Sequence, residues 1–158
     1  MQKKYQISDV NRGDILNLLK SNIDKNSPSR NIQIQEIDFF WDTYPEDVLQ
    51  SLRSCNIVLA ADVVYDESIT RHFFKTLRNI LKFGGKTVLI AIERRLRTDE
   101  GGQLVAPNFE IFSQQLAALD TEVLNGQAVM VQQLNIDFPK YFEYSRVPEL
   151  TLWQIVLK

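Results

Sequence analysis

The chain has 158 residues, 44% hydrophobic and 24% charged, which is the range of one soluble globular domain and excludes disordered, fibrous and membrane-spanning chains. Eighteen Lys and Arg against twenty Asp and Glu give a formal charge of -2, leaving no basic excess to hold a phosphate backbone, so direct nucleic-acid binding is not expected. One cysteine, Cys55, and one histidine, His72, can form neither an internal disulfide nor a thiolate–imidazole zinc site, so no metal is expected and a reducing compartment, cytoplasmic or nuclear, fits.

Residues 1–5 lack the apolar core of a signal peptide, so secretion is not expected. Tyr5 to Asp9 alternates apolar and polar residues before an acid, the pattern of a short strand that delivers a carboxylate to its C-terminal edge. From Asn11 to Lys25 the residues Ile15, Leu18, Leu19 and Ile23 recur at spacings of three and four, predicting an amphipathic helix resting on a sheet. Ser27-Pro28-Ser29 is its expected stop. Ile32, Ile34 and Ile37 predict a second strand ending at Asp38, followed by the aromatics Phe39, Phe40 and Trp41; Tyr44 to Arg53 reads ambiguously as one or two helical turns.

Asn56 to Ala61 is a near-continuous apolar run, expected for a strand covered on both faces. Asp62 ends it. Ser68 is the expected N-cap of a helix whose stripe is Ile69, Phe73, Leu77, Ile80 and Leu81, closed by Gly84-Gly85. Thr87 to Ile92 predicts a fourth strand of the same buried type, leading into Glu93 to Arg97 and a loop at Gly101-Gly102. These runs are far shorter than the roughly 20 residues that cross a bilayer, so no membrane insertion is expected. Phe109, Phe112, Leu116 and Leu119 mark a further helix. Val123 to Leu134 and Leu150 to Leu157 read as two strands joined by an irregular segment containing Phe138-Pro139 and Arg146-Val147-Pro148.

Strands alternating with helices and followed by two closing strands predict a single α/β domain over residues 1–158, its sheet mostly parallel with an antiparallel C-terminal edge. Acids stand at successive strand ends, at Asp9, Asp38, Asp62 and Glu93, the edge where open α/β sheets bind ligands. Periodicity alone leaves two readings open, a nucleotide-like ligand or acids that cap the next helix. Arg94, Arg95 and Arg97 read as a solvated cluster, with an acidic-substrate patch as the alternative. His72 falls off its helix's apolar stripe, as a surface residue does.

Leu59-Ala-Ala-Asp-Val-Val-Tyr-Asp66, with the helix Phe73 to Leu77 behind it, resembles the Rossmann-like, seven-stranded S-adenosylmethionine-dependent protein-lysine methyltransferases that carry an Asp-x-x-Tyr signature, here Asp62-Val63-Val64-Tyr65. Ile92-Glu-Arg-Arg-Leu96 and Glu149 to Ile155 extend the resemblance in the same order, so that it runs from about Ile7 to the C-terminus. It implies methyl transfer from S-adenosyl-L-methionine to a lysine side chain of a protein substrate, by a monomer. It assigns the ribose hydroxyls to Asp9 and the adenine to the segment Asp38, Phe39 and Trp41, where either ring could stack. Ala60 and Ala61 would line the cofactor, and Asp62 and Tyr65 would face the acceptor lysine as the catalytic pair. A carboxylate suits ribose because its two oxygens accept from two adjacent hydroxyls.

The resemblance also implies a departure. The family places a first strand and a Gly-rich loop ahead of the position of Asp9, and in its strand order that strand lies between those ending at Asp9 and Asp62. The chain is therefore expected to be a partial methyltransferase domain, poorly stable and binding cofactor weakly by itself. The alternative to an enzyme is a non-catalytic interaction module or an unstable truncated product, and a small-molecule methyltransferase is a weaker third reading.

Overall fold

A computed structural model describes residues 5–26, 32–140, 143, 145 and 147–158. The expected helix stop at Ser27-Pro28-Ser29 and the expected irregular residue Arg146 lie outside these. The class is the expected α/β, with an antiparallel edge built by the C-terminal strands. The chain forms two compact units, Met1–Ser51 and Leu52–Lys158, described separately below.

In the first unit, β1 (Tyr5–Asp9) and β2 (Ile32–Glu36) pair in parallel, in register from Tyr5 with Ile32 to Asp9 with Glu36. Parallel neighbours need a crossover, and α1 (Ile15–Asn26) supplies it. The stripe of α1 was expected to rest on a sheet, yet the helix has no fully buried residue and Leu18 is 61% exposed. A two-stranded ribbon is too narrow to cover a 12-residue helix, which accounts for the difference. β2 is better covered: Gln35 is buried and its Nε2 donates to Asp47 Oδ2 at 3.1 Å. The ambiguous segment after Tyr44 is α2 (Glu46–Ser54), which crosses the boundary between the units. Glu46 and Asp47 occupy its first turn, where carboxylates complement the unpaired N–H groups.

The second unit holds a five-stranded sheet in the order β3-β4-β9-β8-β7. β3 (Ile57–Ala61) and β4 (Thr87–Glu93) are parallel and are joined through α3 (Glu67–Leu81). A small hairpin of β5 (Arg97–Thr98) and β6 (Leu104–Val105) follows, then α4 (Pro107–Asp120), β7 (Val123–Leu124), β8 (Gln127–Leu134) and β9 (Leu150–Leu157). β9 runs antiparallel to both β4 and β8. The span Val123 to Leu134, expected as one strand, is broken at Asn125-Gly126, where both residues take positive φ, +52° and +79°. Two consecutive residues of that conformation make the tight hairpin turn whose twist suits antiparallel neighbours.

Register explains the core. Val88 lies opposite Ile155 and Ile90 opposite Trp153, so these side chains share one face of the sheet. α3 and α4 bring Phe74 and Phe112 together with ring centroids 5.6 Å apart, and Phe112 meets Trp153 edge-on at 6.3 Å. Phe74, Leu77, Leu81, Val88, Ile90, Phe112, Leu119 and Ile155 are almost wholly excluded from water. Coverage is one-sided, however. β3 was expected to be covered on both faces, but Ile57 and Leu59 are 65% and 75% exposed, and in β4 the alternate residues Thr87, Leu89 and Ala91 are half-buried. β4 is the ladder partner of β3 among the described residues, so β3 stands at an edge of its sheet and not in the interior that its composition suggests.

Two caps differ from expectation or were not anticipated. The N-cap of α3 is Asp66 in place of Ser68: its Oδ1 accepts from the Ile69 N–H at 2.8 Å, and Ser68 lies inside the first turn. Backbone geometry settles the choice, because Asp66 has the extended φ and ψ of a cap, -148° and 175°, whereas Ser68 is already inside the helix. Lys86 is 4% exposed, and its ammonium donates to the carbonyls of Arg53, at 2.8 Å, and Cys55. A buried cation thereby satisfies the C-terminal carbonyls of α2 and anchors the start of β4.

Two stability measurements check this account. Phe112→Ala should lower the unfolding free energy of the second unit by about 3–5 kcal/mol, since it opens a cavity between two helices and a sheet. Lys86→Met should cost roughly 1.5–3 kcal/mol by leaving two carbonyls unpaired. Urea titrations followed by far-UV circular dichroism read both, and a loss below about 1 kcal/mol for Phe112→Ala would contradict the packing described.

Candidate functional site

In the second unit the residues expected to carry chemistry gather at the C-terminal edge of β3 and β4. Asp62 continues the ladder, its N–H donating to the Ala91 carbonyl at 3.0 Å, and then leaves it with φ +52°. This left-handed conformation is rare for a residue with a side chain, and Asp is among the few that tolerate it. Arg95, two residues past the end of β4, donates from Nη2 to Asp62 Oδ2 at 2.6 Å. The pair is open to solvent, with the two side chains 57% and 49% exposed for Arg95 and Asp62.

Tyr65 follows three residues later, 56% exposed, immediately before the Asp66 cap. Its carbonyl accepts from the Asn108 side-chain amide, so the start of α4 holds the backbone that carries the phenol. Tyr65, Glu93, Arg95, Leu96, Arg97 and Phe109 are among the residues lining a cleft of about 140 Å³ here. Ala60 and Ala61 precede Asp62 on β3, opposite Ile90 and Ala91. Ala60 is half-buried and Ala61 exposed.

The first unit holds the other set. β1 ends at Asp9, and the Ile37 N–H donates to the Asp9 carbonyl at 3.0 Å, which brings the segment after β2 beside that exposed acid. The Asp9 carboxylate accepts locally from the Val10 N–H at 2.7 Å through Oδ1. Asp38 closes a turn, its Oδ1 accepting from the Phe40 N–H at 2.9 Å, and so shapes the segment that carries Phe39 and Trp41. Trp41 stands edge-on to Tyr44 with centroids 6.1 Å apart, and Phe39 is half-buried. An exposed carboxylate and an aromatic turn thus share one strand edge.

Sequence reasoning did not single out Arg95 as the partner of Asp62, nor Asn108 at all. The first could have been found from topology, because parallel strands place their C-terminal ends together. The second left no signal, being one polar residue near a helix start. Among the described residues, no group of three or more His, Cys, Asp and Glu could hold a metal ion, and no helix is long and apolar enough to cross a membrane.

A family profile described as lysine methyltransferase matches residues 1–102. The chain belongs to the lysine methyltransferase family. That match contains Asp9, Asp38, Phe39, Trp41, Ala60, Ala61, Asp62, Tyr65 and Arg95, and stops short of Asn108. Methyltransferase-like protein 22 of Homo sapiens is 26% identical over a stretch covering 99% of this chain and 43% of the human protein. Methyltransferase-like protein 22 of Mus musculus is 25% identical over 72% of this chain and 30% of the mouse protein. The chain therefore spans less than half the length of these relatives.

The positive φ at Asp62 dictates how this acid should be probed. Both substitutions, Asp62→Asn and Asp62→Ala, remove the ion pair with Arg95, but Asn tolerates the left-handed region, so Asp62→Ala should be about 1–2 kcal/mol less stable than Asp62→Asn from backbone strain. Parallel denaturant titrations of the two variants check this, and equal stabilities would mean that the conformation at Asp62 carries no strain.

Proposed function

We propose that the protein transfers a methyl group from S-adenosylmethionine to the side-chain amine of a lysine in a protein substrate. The observation that carries this reading is the Asp62–Arg95 contact at one strand edge, beside the cleft that Arg95 and Tyr65 line together, within the residues that match the lysine methyltransferase family. When bound, S-adenosylmethionine supplies an electrophilic methyl group on a sulfonium, which becomes a neutral thioether as the carbon–sulfur bond breaks.

The residues of the chain then divide the work. Asp9 accepts from the ribose hydroxyls, and the turn closed by Asp38 offers Phe39 or Trp41 to the adenine. Ala60 and Ala61 leave the backbone of β3 approachable, having no side chain beyond a methyl. Asp62 and the Tyr65 phenol orient the acceptor amine in line with the methyl group, which lowers the entropic part of the barrier. The amine has an ordinary pKa of about 10.4 and must shed its proton, to water, before its lone pair can form the new bond to carbon. Support comes from the exposure of Asp62 and Tyr65, which leaves both open to a substrate arriving from solvent.

A second reading, a non-catalytic interaction module, has its own observation: the exposed Ile57 and Leu59 on β3, an apolar surface that a partner could cover. Two measurements separate the readings. Incubation with methyl-labelled S-adenosylmethionine and cell extract should place label in protein; label confined to nucleic acid or small molecules would defeat the enzyme reading as stated. In calorimetric titrations Asp9→Asn should weaken S-adenosylmethionine binding by about ten- to a hundred-fold, the loss of a charge-assisted hydrogen bond. Asp62→Asn should leave binding nearly intact while lowering turnover. Failure of the parent chain to bind S-adenosylmethionine at all would favour the interaction module.

A further inference from the structure

We propose that Arg95 is a positioning residue for the transfer: by neutralising Asp62 it lets that carboxylate orient the acceptor amine without holding it as ammonium. The inference rests on the reading of Asp62 as the group that faces the amine. Its starting point is a chemical conflict within that reading. A lone carboxylate beside an amine favours the protonated, charged form, and the protonated form has no lone pair with which to attack. A site built only from Asp62 would bind its substrate in the unreactive state.

The geometry resolves the conflict. Arg95 Nη2 engages Asp62 through Oδ2, and no hydrogen bond to Oδ1 is found among the described residues, so one carboxylate oxygen stays available to the amine. The guanidinium remains charged at any working pH, and a cation near an amine favours the neutral, nucleophilic form. The titratable and charged groups lining the adjoining cleft are Tyr65, from the segment after β3, and Glu93, Arg95 and Arg97, from the segment around the end of β4. α4 contributes Pro107, Asn108 and Phe109, none of them ionisable. Glu93 and Arg97 carry opposite charges, and the cation in contact with Asp62 is Arg95.

The pair has no strong structural purpose that would explain it instead. Both side chains are about half exposed, and such pairs add little stability. What the contact does fix is direction. Asp62 has already left the ladder at φ +52°, and the contact with Arg95 holds its side chain toward the loop after β4.

The test uses Nα-acetyl-L-lysine methylamide as the amine probe, titrated into the full chain and observed by NMR, for wild type, Arg95→Gln, Arg95→Lys and Asp62→Asn. At pH 8 Arg95→Gln should bind the cationic probe roughly two- to five-fold more tightly than wild type, the size of an exposed ion pair. That excess should vanish as the pH passes about 10.4 and the probe loses its charge. Arg95→Lys, which keeps the charge, should match wild type, and Asp62→Asn should bind most weakly. Arg95→Gln binding no tighter than wild type at pH 8, Arg95→Lys behaving like Arg95→Gln, or no variant binding the probe would each overturn the proposal. The outcome for methyl transfer is separate. The probe pattern without label transfer to protein in extract removes the enzymatic reading and keeps the electrostatic role. Label transfer with the same pH–rate profile in wild type and Arg95→Gln removes this inference alone.

Discussion

The parallel pairing of β3 with β4 is the constraint on which the rest of the second unit depends. Parallel neighbours cannot be joined by a tight turn, so α3 must carry the chain back across the sheet, and its apolar face must then be buried against that sheet. The same pairing aligns the strands' C-terminal ends. Asp62 and Arg95, far apart in sequence, meet because each lies just past the end of its strand. Core and candidate site are thus two results of one topological choice: the helical crossover makes the core, and the common edge makes the site.

The family match and the geometry bear on different links of the argument. Membership of the lysine methyltransferase family comes from residues 1–102. The geometry says which atoms could take part. In the first unit a short parallel ribbon places Asp9 beside the turn of Asp38, and in the second the edge of β3 and β4 places Asp62 beside Arg95. Each set is small, and a backbone hydrogen bond ties each to its strands, Ile37 N–H to the Asp9 carbonyl and Asp62 N–H to the Ala91 carbonyl. The aromatic turn and the segment around Tyr65 lie in loops, where their positions rest on single contacts such as the Asn108 amide.

Much of the fold could be read from the chain. Apolar runs located β3 and β4, and a stripe at spacings of three and four located α3. What periodicity could not show was environment. Ile57 to Ala61 has the composition of an interior strand, yet burial depends on what lies alongside, and the apolar count of five residues carries no information about neighbours. Asn125-Gly126 was legible in principle, because that dipeptide between two strand-like runs is a turn signal. The Asp66 cap was missed because Ser68 is also a good capping residue, and only backbone geometry chooses between them. Lys86 had no signal at all: a lysine before a strand is ordinary, and its burial arises from two carbonyls brought to it by α2. At the candidate site, Asp62 and Tyr65 were singled out through the resemblance, whereas the contact of Asp62 with Arg95 required the register of two strands.

The two tryptophans fall one in each unit, Trp41 in the turn after β2 and Trp153 on β9 against Phe112. Their settings differ as well: one lies beside a tyrosine near the strand edge of a small ribbon, and the other within the packed layer beneath two helices. Replacing either with phenylalanine leaves a single indole emitter, so the intrinsic fluorescence of the chain can be divided into two channels. Quenching by iodide would then distinguish the motions of the aromatic turn after β2 from those of the packed sheet, without any label being attached.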